Sequence, residues 1–141
     1  MCRSHKPVIL DVSAREETSS PSGFADSSYG NTTWHTLLSS PETPTTSMSG
    51  GVAVCPRYGA LALHRHKQAE IYYILSGSGE VEIEGQRNKV SKDMVIWIPG
   101  DAEHGVFTGD DELKWFYVFP EGSFENVVYR FTHEEKVSAR L

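Results

Sequence analysis

Gly59-Ala-Leu-Ala-Leu-His64-Arg-His66-Lys-Gln-Ala-Glu70 is the stretch on which the reading of this chain turns. His64 and His66 stand two apart, so on a strand both side chains face one side. Glu70 follows past a tight connection, at the head of a run rich in β-branched and aromatic residues, Glu70–Leu75. Much further along, His104 comes just after the Pro99-Gly100 break. A lone His-x-His pair on a strand is commonly incidental. Glu70 and His104, each beside a strand-like run, make it a constellation. Three imidazoles and one carboxylate suit one borderline divalent metal ion: Fe(II), Mn, Ni, Zn or Co. Such a set leaves a position open for water or substrate.

Outward from this stretch the pattern is one of short strands and turns. Gly51–Cys55 is apolar, Pro56–Gly59 turns, and Ala60–His66 alternates. After Glu70–Leu75, Ser76–Gly79 reads as a turn. In Val81–Glu84, Val81 and Ile83 point one way and Glu82 and Glu84 the other. Gly85-Gln86 marks a hairpin. Val90, Met94–Ile98, His104–Thr108, Leu113–Phe119 and Val127–Phe131 complete the series. About eight to ten short strands with turns every ~8–12 residues predict an all-β sandwich or barrel. Residues 1–50 are rich in Ser, Thr and Pro. They read as an N-terminal arm, with loops at Thr18–Ser22 and Ser39–Ser49 around one outer strand, Thr32–Leu38. The barrel is expected over 51–131, and a charged, helix-prone tail over 132–141.

The bulk numbers narrow the field. A chain of 141 residues fits one domain with its own core. Hydrophobic residues at 38% and charged residues at 23% are an ordinary globular balance. The net charge is −6 and no run of Lys or Arg occurs, which argues against nucleic acid or an anionic membrane as partner. Cys2 and Cys55 are too few for a disulfide framework and read as reduced thiols of a cytoplasmic protein. The first residues carry Arg3, Lys6, Asp11, Arg15, Glu16 and Glu17, with no apolar core for a signal peptide. No stretch approaches the ~20 apolar residues of a membrane span.

Around the metal set, Tyr72 stands two residues after Glu70 and faces the same way. A nearby cation favours phenolate, so Tyr72 has the makings of a general base; barrel packing is the competing role. Tyr73 is expected outside. Trp97, Phe107, Trp115 and Tyr117 offer aromatic faces that suit a cation. Parity with His104 puts Val106 and Thr108 inward and Phe107 outward. Arg65 alternates away from the histidines, toward solvent or an interface.

At this point the chain resembles the cupin superfamily. Gly59 to Glu70, then Gly77, looks like the first cupin motif, and Met94–His104 (MVIWIPGDAEH) like the second. Four residues rather than five separate Gly59 from His64. Asp93 and Asp101 stand where the second motif usually has glycines, and Thr108 where it often has Asn. The resemblance implies a double-stranded β-helix, the jelly-roll barrel, and a homodimer. It implies His64, His66, Glu70 and His104 as ligands.

Ala69–Tyr72, Asp101–His104, Trp115–Pro120 and Phe124–Tyr129 are further similar to the small cupin-type dimethylsulfoniopropionate lyases. That likeness implies a small-molecule carboxylate substrate held by the metal, and Tyr72 as the base that removes the proton beside the carboxylate. It implies Tyr129 as a pocket residue, and dimethyl sulfide and acrylate as products. Other cupin activities remain open by fold alone: isomerase, decarboxylase or dioxygenase action on a small carbonyl or phenolic metabolite, or metal holding without catalysis.

Overall fold

The computed structural model describes residues 6–139, and Cys2 lies outside them. Ten strands follow in chain order: β1 Ser22–Gly23, β2 Thr33–Leu38, β3 Ser49–Cys55, β4 Ala60–Arg65, β5 Glu70–Ile83, β6 Gln86–Ser91, β7 Val95–Ile98, β8 His104–Phe107, β9 Leu113–Phe119 and β10 Arg130–Phe131. Helix α1, Val12–Thr18, precedes them and α2, Thr132–Ala139, follows. No helix among the described residues is long and apolar enough to cross a membrane. The pairings are antiparallel, in the order β1-β2-β3-β9-β5-β8-β4-β10, with β6 and β7 also paired to β5. The expected all-β class is the observed one.

One strand joins the two halves of the curled sheet. The first part of β5 pairs with β7 and β9, and its last part pairs with β6 and β8. The turn expected at Ser76–Gly79 is therefore a bend inside a continuous strand. Its register slips between Ile74 and Ser76, and Gly77 adopts φ +83 there. The true reversal comes at Glu84-Gly85, both at positive φ, between Ile83 and Gln86. Paired positive φ values match the right-handed strand twist of a tight hairpin.

Between the faces lie Ile74, Val81, Ile98, Val106, Leu113, Trp115 and Phe119, all at most 1% exposed. Burying an aromatic removes about 150–250 Å² from water, worth roughly 4–6 kcal/mol each before the entropy of ordering is subtracted. Cys55 is a free thiol in this core, and burial pushes its pKa up. The outer face of β5 and β7 is different. Ile71 sits opposite Trp97 and Tyr73 opposite Val95, and all four are exposed.

The N-terminal segment holds a helix the sequence pattern did not show. Asp11 caps α1 by accepting from the Ala14 N–H at 3.0 Å, the ordinary role of Asp at a helix start. Glu16 then pairs with Lys114 of β9 at 2.8 Å. At the other end, Val127–Phe131 forms only the short β10, where Phe131 pairs with His64.

A slip in β4 decides which way the histidines point. Leu61 pairs with Val106, yet His64 pairs with His104, so β4 carries one residue more than β8 across this interval. Simple alternation from the inward Leu61 would send His64 outward. The bulge restores it to the interior, the re-aiming such irregularities produce. Gly105 sits under the bulge, and a Cβ there would come 2.8 Å from the Leu61 carbonyl oxygen and 3.2 Å from the Leu63 nitrogen. Gly105→Ala should therefore cost about 1–3 kcal/mol through overpacking, read as a lower midpoint in urea. An unchanged midpoint would show that the bulge has slack.

Candidate metal centre

His64 and His104 face each other on paired strands. His66 lies just past the end of β4, and Glu70 begins β5, where it pairs with Ile98 of β7. The four side chains are 0%, 0%, 1% and 3% exposed for His64, His104, His66 and Glu70. Ligand atoms of the three histidines all lie within 4.8 Å of one another. Glu70 Oε1 stands 3.1 Å from His66 Nε2 and 3.3 Å from His104 Nε2.

Backbone carbonyls set the ring tautomers. His64 Nδ1 is 2.7 Å from the Ala62 oxygen, His66 Nδ1 2.9 Å from that of Gln68, and His104 Nδ1 2.9 Å from that of Ala102. A carbonyl only accepts, so each Nδ1 carries the hydrogen and each Nε2 turns its lone pair inward. His64 Nε2 and His104 Nε2 are buried without a hydrogen-bond partner. His104 reaches the Glu70 carboxylate in distance but not in hydrogen-bond geometry. Four acceptors thus converge on one buried point. Buried polar groups are rarely left so, and a metal cation is the partner this donor set fits.

Burial, then the neighbouring His104 charge, holds the His64 imidazole well below its ordinary 6.5. It is neutral, as a ligand must be.

The loops that differ from the usual motif keep its geometry. Asp93 and Asp101 adopt φ +72 and +61, the left-handed conformation that glycine takes most easily. Thr108 Oγ1 accepts from the Gly59 N–H at 2.8 Å and donates to the Pro56 carbonyl. Arg65 points out of the barrel and donates to the Asp101 carbonyl at 2.8 Å.

Beside the donors lies an aromatic chamber, lined by Tyr72, Tyr117, Tyr129, Trp115, Trp34, Phe24 and Phe124 with Glu70 at its base. Tyr72 is 1% exposed and its ring centre is 6.4 Å from that of His104. Tyr129 stacks on His64 at 4.6 Å with planes 10° apart. Among the described residues, neither hydroxyl has a hydrogen-bond partner, whereas Tyr117 meets Thr36 at 3.4 Å. Burial first, and the Glu70 charge second, push both the Tyr72 and Tyr129 phenols well above their ordinary value. Among the described residues, no Lys or Arg lines the chamber.

Of the aromatic faces expected near the site, Trp115 and Tyr117 are there. Trp97 is 63% exposed on the outer face, and Phe107 lies under the Arg87 guanidinium at 4.0 Å. Phe24 and Trp34 carry no site signal in the sequence beyond large apolar rings in a Ser- and Thr-rich segment, and Phe124 stands there only as the head of the stretch of family likeness Phe124–Tyr129.

A curled antiparallel sheet with this histidine cluster at its centre defines a cupin, and the family model for the cupin domain matches residues 53–119. The dimethylsulfoniopropionate lyase DddW of Ruegeria pomeroyi is 38% identical over 128 residues, 91% of this chain and 82% of that protein. By that identity and coverage, the chain belongs to the cupin family of this lyase. Two solved structures share the fold at lower identity. One is a predicted oxalate decarboxylase from Thermotoga maritima (TM-score 0.68, 20% identical, 81% of this chain and 99% of that one). The other is the DMSP lyase DddQ from Ruegeria pomeroyi (TM-score 0.63, 23% identical, 72% of this chain and 52% of that one).

Two measurements follow from the donor geometry. His104→Ala should lower bound metal per chain in elemental analysis, and unchanged occupancy would exclude His104 as a ligand. The second is a pH effect on the metal-free chain. Because the folded His64 pKa is depressed, the unfolded chain takes up the proton first, so stability is full above about pH 6.5 and falls as pH drops below it. The melting temperature should decline between about pH 6.5 and 5.5, before most carboxylates titrate. A rise over that interval would contradict the assignment.

Proposed function

We propose that this chain is a metal-dependent lyase that eliminates a leaving group β to a carboxylate, with dimethylsulfoniopropionate as its substrate. The observation that carries the reading is Tyr72. The residue is 1% exposed and lines one aromatic chamber with Glu70, beside the cluster of His64, His66 and His104, in a chain 38% identical to a lyase of that substrate. His64, His66, Glu70 and His104 are the residues that would hold a divalent ion. When bound, such an ion would offset the Glu70 charge and supply a Lewis acid for a substrate carboxylate.

The remaining roles belong to the protein. Among the described residues the chamber wall has no Lys or Arg to repel a sulfonium group. Its ring faces offer the negative quadrupole that attracts a cation. Tyr72, as phenolate, takes the proton from the carbon beside the carboxylate. The C–H electron pair becomes the new double bond, and the β-carbon–sulfur bond breaks with its pair leaving on sulfur. The products are acrylate and neutral dimethyl sulfide, and the proton remains on Tyr72 Oη until solvent removes it. In the protein alone, burial and the Glu70 carboxylate hold this phenol protonated. Positive charge among the donors opposes the second cause, which ties the base to the occupied centre. Tyr129, stacked on His64, orients the ligand ring and closes the chamber on that side.

Tyr72→Phe removes only the hydroxyl. Turnover should fall about 10²–10⁴-fold, the usual contribution of a general base, with metal content unchanged. Headspace detection of dimethyl sulfide reads the rate. Full activity in this variant would make Tyr72 a packing residue.

A further inference from the structure

The chamber encloses about 20 Å³, room for a single water molecule. A molecule carrying both a carboxylate and a methylated leaving group enters only if a wall gives way. Most walls are fixed. Trp34 is pinned within β2 between Ser22 and Ala53, and Tyr72 and Trp115 lie in the paired strands β5 and β9. Phe24 is wedged at 4.9 Å from Trp34 and 5.5 Å from Phe131.

Phe124 is held differently. It sits on a single 3-10 turn, Phe124–Asn126, whose preceding residue Ser123 gives no side-chain cap. Its nearest rings are 5.8 Å, 6.0 Å and 6.3 Å away, at Tyr117, Phe119 and Trp34. Its backbone is tied, since the Phe124 N–H donates to Ser39 Oγ at 2.9 Å, so the movable part is the ring. That ring also has a second side. Besides the chamber, Phe124 lines a surface groove of about 330 Å³ with Thr36, Ser39 and Thr43. Arg15, Glu42 and Glu125 also line the groove, both signs of charge, which suits a zwitterion.

We propose that Phe124 is a specificity-determining partition between groove and chamber. Rotation of its ring admits the substrate, and its bulk limits the size of the cationic group the chamber accepts. The cationic ligand rests on the lyase reading above; the partition itself does not.

The test uses the full chain in a Trp97→Phe background, so that fluorescence reports only Trp34 and Trp115 of the three tryptophans. Acrylamide quenching reads access to the chamber. Calorimetry with tetramethylammonium and benzyltrimethylammonium reads its size limit. Phe124→Ala should make quenching several-fold stronger and shift preference toward the larger cation by about tenfold, the scale of apolar pocket discrimination. Phe124→Leu should shift both the same way by less, and it decides the matter if the alanine variant does not fold. Unchanged quenching and unchanged preference, in a variant that melts like the parent, would overturn the proposal. A parent chain that binds neither cation would sink the cationic-ligand reading, and quenching would still decide the role of Phe124.

Discussion

Four acceptors aimed at one buried point are the constraint around which this molecule is arranged. Each histidine spends its Nδ1 hydrogen on a backbone carbonyl two residues away, leaving Nε2 lone pairs that face one another and the Glu70 carboxylate. Left alone, such groups repel, and burial makes that repulsion expensive. The strands bring them together regardless, because hydrophobic burial around them is larger. Trp115, Ile98, Phe119 and Val106 are almost wholly buried in the same barrel. The fold thus stores an electrostatic demand that a cation would satisfy, a common arrangement where binding and stability are coupled.

The same demand shapes the chemistry beside it. Tyr72 and Tyr129 lie in low-dielectric surroundings near the Glu70 carboxylate, and both phenols are strongly held in the neutral form. A phenol in that setting keeps its proton until the local charge changes. The aromatic wall supplies the complementary property, ring faces whose negative quadrupole attracts positive charge. Tyr129 serves both sides, stacked on His64 and facing the chamber. Segments distant in sequence close that wall. Tyr29 stacks on Phe131 at 3.9 Å and donates to Glu134, so the N-terminal segment is locked to the start of α2. The N-terminal segment is therefore part of the site, since it delivers Phe24 and Trp34.

Much of the site was legible in the sequence because its signals are local. His64, His66 and Glu70 fall within one strand–turn–strand unit, and two-residue spacing on a strand fixes a shared face whatever else the chain does. Tyr72 and the outward Tyr73, Phe107 and Arg65 followed from the same alternation, as did Trp115 and Tyr117 once Leu113–Phe119 was read as a strand. The substitutions at Asp93, Asp101 and Thr108 left ligand positions intact because each residue reproduces the conformation or hydrogen bond its loop requires.

What the sequence by itself determined is the all-β class, the histidine and carboxylate constellation, and the family likeness. Tertiary structure decided the rest. The β4 bulge that turns His64 inward is a mismatch between two strands and exists only once they pair. The bend that makes β5 one strand shared by both halves of the sheet depends on which partners each half finds. The placement of Phe24, Trp34 and Phe124 around one cavity comes from contacts between residues separated by tens of positions, and no periodicity in a single segment encodes such a meeting. Local spacing is a property of the backbone, readable from one strand at a time. Enclosure is a property of the curled sheet as a whole.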